Sequence, residues 1–114
     1  MLAGKPFFDA DADNSKQTMK ASEGLLYFLE VSNPNTTDAY LQLFDADAAD
    51  VTVGSTTPTL SFLIPGGDGT LDGAMDKFWP PGISFEKAII YACTTTATGS
   101  SDPSTGLVLN ASLA

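Results

Sequence analysis

The feature that most constrains the fold is a succession of short apolar runs, rich in β-branched and aromatic residues and separated by Asn, Asp, Gly and Pro. From residue 24 onward these runs recur at the spacing typical of a β-sandwich or barrel. No segment combines a helical apolar period with capping residues at both ends. The sequence therefore predicts an all-β fold, in which residues 24–114 form an antiparallel β-sandwich.

Turn residues and alternation place the individual strands. Strands are predicted at 25–32, 39–44, 59–64 and 107–113, a long strand or strand pair at 83–95, and a short piece at 51–53. The segment 70–78 is ambiguous. Residues 79–82 are predicted to turn a corner, because their two prolines have no N–H to donate to a ladder. Residues 99–106 are rich in Gly and Ser and are predicted to be a surface loop.

The first 23 residues differ in composition from the rest. They are polar and rich in aspartate apart from Phe7 and Phe8. We expect an N-terminal arm over 1–23, with at most a short strand near 17–22, whose order depends on docking. This segment has no apolar run of the length that a signal peptide or a membrane span needs, so we expect neither.

The charge balance narrows the range of partners. The chain has 14 acidic residues and five lysines, no arginine and no histidine, for a formal net charge of −9. Nucleic acid and anionic membranes are therefore not expected partners, because both are bound through clustered cations. The acidic residues either solvate the surface, or match a basic patch on a partner protein, or collect cations between subunits.

Residues able to support catalysis are scarce. Nucleophilic catalysis normally uses a His base, which this chain lacks, and zinc needs His or Cys in numbers not present here. A paired-acid glycosidase needs a sugar-sized cleft, for which a sandwich of this size has little room. Cys93 lies in an apolar run and is expected to be a buried small hydrophobe. We therefore expect no enzyme and assign no catalytic residue and no cofactor.

Two acidic runs, at 9–13 and 45–50, are candidate calcium-binding loops. Asp9, Asp11 and Asp13 have EF-hand spacing, but Asn14 stands where that loop needs Gly and Lys20 where it needs Glu. The run at 45–50 is either a solvated loop or an irregular calcium site. No metal ligand is assigned.

The run at 25–31 is apolar on both sides. Period two assigns one set of residues to each face: Leu25, Tyr27, Leu29 and Val31 to one, and Leu26, Phe28 and Glu30 to the other. Tyr40 and Phe44 fall on the outer side of the next strand. Either the run at 25–31 is a central strand covered on both faces, or it meets another subunit. The candidate interface residues are Phe7, Phe8, Leu26, Phe28, Tyr40, Phe44 and Trp79.

Several motifs follow one another along the chain: an Asn-rich turn after the strand at 25–32, a Tyr-Leu-x-Leu-aromatic strand, a Val-Gly-x-x-x-Pro loop and a Pro-Gly-Ile-x-Phe corner, within 24–35, 39–45, 52–58, 62–65, 81–85 and 92–96. In this order and spacing they resemble a family of small virion proteins of tailed bacteriophages. The order is kept across roughly residues 24–113. The acidic segment at the amino terminus and residues 70–79 depart from the family pattern.

The resemblance implies a jelly-roll sandwich on the virion surface. It implies a capsid decoration or cement protein that packs on the major capsid protein and on sister copies. Sandwiches of this kind commonly assemble as homotrimers. Phe7 and Phe8 would then help an arm to clamp a neighbouring subunit. The alternative is an adhesion or carbohydrate-binding module of a fibre or tail, in which Tyr40, Trp79 and Tyr91 would stack on sugar rings.

Overall fold

Eight strands form the framework of the chain and confirm the predicted all-β class. The computed structural model describes residues 4–114. Its strands are β1 (Lys5–Ala12), β2 (Gln17–Lys20), β3 (Gly24–Asn33), β4 (Ala39–Phe44), β5 (Leu60–Ile64), β6 (Gly73–Phe85), β7 (Ile89–Thr94) and β8 (Leu107–Leu113). One short 3-10 helix, Ala48–Asp50, lies between β4 and β5. No helix within 4–114 is both long and apolar enough to cross a membrane.

The strands form two antiparallel four-stranded sheets. The first sheet has the order β1-β8-β3-β6 and the second has the order β2-β7-β4-β5. The pairs β4 with β5, β3 with β6, β2 with β7 and β1 with β8 are nested inside one another along the chain. A ribbon of nested antiparallel pairs wound into two sheets is the jelly-roll arrangement, so the predicted sandwich type is confirmed.

The core lies between the two sheets. In strand β8 one face is in the core and the other faces outward, so its residues alternate between buried and half-buried along its whole length. Strand β7 departs from this pattern, because all six of its residues are buried. It is a central strand whose outer face must also be covered. The largest side chains of the core include Leu26, Leu29, Leu41, Leu43, Leu107 and Leu109.

Strand β3 does not follow the simple alternation predicted for it. Leu26 and Leu29 are both fully buried, although they are three residues apart. Leu26 and Phe28 pair with the adjacent residues Leu113 and Ser112 of β8, so Tyr27 is an extra residue at a β-bulge relative to β8. The bulge moves Leu26 to the core face. Its predicted place on the face opposite Leu29 is therefore wrong.

The segment predicted as an N-terminal arm is built into the sandwich. Strand β1 pairs with β8 at the edge of the first sheet, and β2, inside the strand predicted near 17–22, pairs with β7 at the edge of the second. Ala12 and Met19 are buried in the core. Residues 5–20 are extended, as expected, but they do not form an arm outside the sheets. Residues 1–3 of the predicted arm lie outside the described residues.

Strand β6 also differs from the prediction. Phe78 pairs with Phe28 and Ile83 with Leu26, so residues 79–82 bulge out opposite the single residue Tyr27. The two prolines do interrupt the ladder, as expected, but the strand resumes against the same neighbour instead of turning a corner. The ambiguous segment at 70–78 contains the first half of this strand. The short strand predicted at 51–53 is absent, and those residues follow the 3-10 helix.

Candidate interaction surface

The outer face of the second sheet is covered by the chain itself around β4 and β7, while Leu63 on the edge strand β5 is 48% exposed. Phe44 and Ile90 point away from the main core, yet each is only 1% exposed. They pack with Val51 and Ala88 in a second apolar cluster, whose cover includes the loop between β4 and β5. This outer cluster explains why β7 is buried on both faces.

Gln42 closes the rest of that face. Its side chain is fully buried, and its Nε2 donates to the Thr94 hydroxyl at 2.7 Å and to the Gly99 carbonyl at 3.0 Å. These bonds hold the loop between β7 and β8 against the sheet. Little of the outer face around β4 and β7 therefore remains for another protein.

The outer face of the first sheet carries the exposed aromatic rings. Phe8 on β1 is 62% exposed and Phe78 on β6 is 69% exposed, and these strands form the two edges of the sheet. Register places Pro6, Ser112, Phe28 and Phe78 in one row across the four strands. We call this surface the open face, meaning the outward residues of β1, β8, β3 and β6.

A shallow depression lies at the Phe78 end of the open face. Its volume is about 440 Å³, and it is lined by Gly4, Tyr27, Phe78, Pro80, Pro81 and Ser112. The bulge in β6 forms one wall. Gly82 has a φ of +112°, and a Cβ there would lie 3.0 Å from the Tyr27 ring. Glycine at this position therefore permits both the backbone conformation and the close approach of the ring.

The charges on the open face are negative. Glu30 and Asp76 are exposed and directly opposite each other on β3 and β6, in the row next to Phe28 and Phe78. Like charges in such a cross-strand pair destabilise a sheet. The two lysines of this sheet lie off the open face. Lys5 pairs with Leu113 and Lys77 with Leu29, and both leucines belong to the core-facing side of the sheet. The open face is therefore apolar and acidic.

The seven predicted interface residues do not form one surface. Phe8 and Phe28 lie on the open face. Leu26 and Phe44 are 0% and 1% exposed, because the bulge turns Leu26 inward and the outer cluster covers Phe44, so neither presents surface to a partner in the folded chain.

The other three predicted residues point elsewhere. Phe7 faces the core and packs edge-on against Tyr91, with ring centroids 5.7 Å apart. Trp79 also packs on the core, with its ring centroid 5.6 Å from that of Phe62. Tyr40 is half-buried on the second sheet, opposite Leu63.

Sequence reasoning missed several residues of the open face. Phe78, Tyr27, Pro80 and Pro81 were not predicted to be part of an interface. The predicted residue is the neighbouring Trp79, whereas the alternation of β6 places Phe78 outward. Applying period two to the segment before the prolines would have found it.

In the acidic loop at 45–50, the Asp45 carboxylate has hydrogen-bond donors from the backbone of the protein itself. The Asp45 carboxylate accepts hydrogen bonds from the backbone N–H groups of Glu86 and Lys87, at 3.0 and 2.8 Å. Desolvation opposes its ionisation, but these bonds and the nearby Lys87 charge together hold the pKa of Asp45 below its ordinary value. Within residues 4–114, no three or more Asp, Glu or Cys side chains are grouped in a way that could hold a metal ion.

Tyr91 and Cys93 are held in their protonated forms. Tyr91 donates its hydroxyl to Asp9 at 2.6 Å, and burial followed by this bond raises the pKa of the phenol. Burial, with smaller contributions from the charges of Asp9 and Asp13, raises the pKa of Cys93 to about 12. Neither group is suited to nucleophilic chemistry, since the thiolate is the reactive form of Cys.

No family model matches the chain, and no curated protein matches it.

Proposed function

We propose that the protein is a structural, non-enzymatic component of a tailed-phage virion that decorates or cements the capsid. In this proposal it packs on the major capsid protein and on sister copies at the particle surface. The observation that carries the proposal is the contrast between the two outer faces. The outer face of the second sheet is largely covered by the chain's own loops and exposes Leu63 at its β5 edge, whereas the outer face of the first sheet carries Phe8 and Phe78 in the open.

The energetics favour engagement of the whole open face. Burying both exposed rings would remove roughly 250 Å² of apolar surface from water, a gain of roughly 6 kcal/mol. Association costs about 4–15 kcal/mol, so the two rings alone would leave at most a surplus of about 2 kcal/mol, too little for a stable complex. A standard interface covers roughly 800 Å² on each side. The molecule measures 40 × 32 × 18 Å, and its broad faces can supply such an area.

The collinear motifs that resemble small virion proteins support the choice of a phage particle. The jelly-roll topology is compatible with it, although a fold by itself does not determine function. A homotrimer of sister copies remains part of the proposal.

The carbohydrate-binding alternative has less support. Of its three proposed stacking residues, Tyr91 is 1% exposed and Trp79 packs on the core. Tyr91 offers no free face to a sugar and Trp79 is half-buried against Phe62, so the fibre or tail adhesion module ranks second.

Localisation on particles tests the proposal. A tagged chain is expressed in the phage-producing cells, particles are purified on a density gradient, and the chain is quantified and imaged on them. We expect the tag in the particle band, with density at repeated positions on the head. Tag that stays at the top of the gradient, or that is found only on fibres, would contradict the proposal.

A further inference from the structure

The open face combines an apolar pair and an acidic pair of residues, which together constrain the chemistry of its partner. The inference drawn from them rests on the proposed function. Phe28 and Phe78 form an apolar cross-strand pair, and Glu30 and Asp76 form an acidic pair two residues farther along the same strands. The two pairs are roughly 7 Å apart, the spacing of alternate residues on one face of a strand. A ligand of this site must therefore present an apolar group next to a group that tolerates two carboxylates.

The acidic pair has a geometry that a cation can bridge. Residues directly opposite on adjacent antiparallel strands have Cβ atoms roughly 5 Å apart. Two negative side chains at opposed positions repel each other in the free protein. A cation placed between them attracts both. Arginine suits such a site better than lysine does, because its planar guanidinium offers several donors to two acceptors at once.

We propose that the open face binds a basic protein surface, in which an arginine enters between Glu30 and Asp76 and an adjacent apolar side chain packs on Phe28 and Phe78. The occupant is thus a different protein, not a second copy. A copy of this chain carries a net charge of −9, contains no arginine and would present the same acidic pair. Sister copies in an assembly then meet through other surfaces.

A defined peptide tests this site without a phage particle. The full chain, labelled with ¹⁵N, is titrated with a short capped peptide of alternating arginine and leucine, and amide shifts are followed. A peptide with glutamate in place of arginine serves as the control ligand. We expect saturable shifts centred on β3 and β6 around Glu30 and Asp76 with the arginine peptide, and none with the glutamate peptide.

Matched variants separate a local site from overall charge. The double variant Glu30→Gln/Asp76→Asn should weaken binding of the arginine peptide by about tenfold or more, as expected for the loss of charge-assisted hydrogen bonds. Asp47→Asn/Glu86→Gln removes the same charge from exposed positions outside the open face and should leave the affinity within about twofold, since remote exposed charges are screened.

Several outcomes would overturn the inference. These are equal weakening by both double variants, shifts centred on the aspartates of residues 9–13, or sedimentation that shows self-association lost on Phe78→Ser. None of them bears on whether the chain occurs on particles. Particles that carry the chain despite a failed titration would leave the proposed function standing and remove the arginine site alone.

Discussion

The side chain of Asn35 binds the backbone of Thr105 in both directions. Its Nδ2 donates to the Thr105 carbonyl, its Oδ1 accepts from the Thr105 N–H, and both distances are 2.8 Å. The pair joins the turn after β3 to the loop before β8, 70 residues away in sequence. Asn33 completes the network by accepting from the Asn35 backbone and side-chain amides at 3.0 and 2.9 Å.

Asn35→Asp should therefore destabilise the fold strongly. The change replaces the donating Nδ2 with an oxygen that faces two acceptors, the Thr105 carbonyl and Asn33 Oδ1. We expect a loss of about 2–4 kcal/mol in the free energy of unfolding, measured by urea denaturation. The neighbouring Thr36→Ala, at an exposed position, serves as the control and should change little. Equal midpoints for the two variants would show that the network contributes no stability.

Asp45 should make the stability depend on pH in the acid range. Its folded-state pKa lies below the ordinary value of 3.8, so the carboxylate stabilises the fold above that value and loses this contribution as the pH falls through the folded pKa. Asp45→Asn should cost about 1–2 kcal/mol at neutral pH, and the difference from the unmodified chain should shrink below about pH 4. Chemical denaturation across this range measures the difference. A constant difference, or one that grows in acid, would contradict the assignment.

Alanine substitutions at two glycines distinguish the cost of backbone strain from the cost of a side-chain clash. Gly69 and Gly82 both have positive φ, at +91° and +112°, but a Cβ at Gly69 meets nothing within 4 Å, whereas one at Gly82 meets the Tyr27 ring. Gly69→Ala should cost about 1–2 kcal/mol from backbone strain alone. Gly82→Ala should cost about 1–2 kcal/mol more because the ring must move. Thermal and urea denaturation of both variants test the difference, and equal losses would rule out the ring contact as a constraint.

Cys93 should be inert in the folded chain. It is fully buried, and its pKa is raised to about 12, so little thiolate forms and none is accessible. At mildly alkaline pH an aromatic disulfide reagent should react at least about a hundredfold more slowly with the native chain than with the urea-unfolded chain. The absorbance of the released thiolate gives both rates. Similar rates would place the thiol at the surface.

The sequence predicts the strands best where alternation is undisturbed. Strands β4 and β8 occupy the predicted residues, 39–44 and 107–113. Each has a regular pattern of apolar residues, and each is preceded by a turn-forming residue, Asp38 before β4 and Gly106 before β8. Such strands can be located from local chemistry alone.

The irregular parts of the first sheet depend on non-local pairing. The bulge at Tyr27 faces the bulged prolines of β6, and neither can be located without knowing that these strands are neighbours. Strand β1 carries two aspartates and looks unstructured in sequence, yet β8 pairs with it, and Asp9 accepts a hydrogen bond from the buried Tyr91.

The candidate surface was only partly predictable for the same reason. Alternation placed Phe28 outward correctly, whereas the cover over Phe44 comes from a loop and from a turn some 40 residues further on. Which of two apolar outer faces is left open is a property of the whole fold.

The most direct test of the central claim is the occupancy of particles by variants of the open face. Phe78→Ser removes a ring that is 69% exposed, and Leu71→Ser removes an equally exposed apolar side chain from the loop between β5 and β6, so both variants should fold normally. The copy number on purified particles is measured for each, with circular dichroism as a check on folding. We expect Phe78→Ser to lower the copy number by about tenfold or more, as for the loss of an interface anchor, and Leu71→Ser to match the unmodified chain. Equal occupancy for the two variants would contradict the central claim.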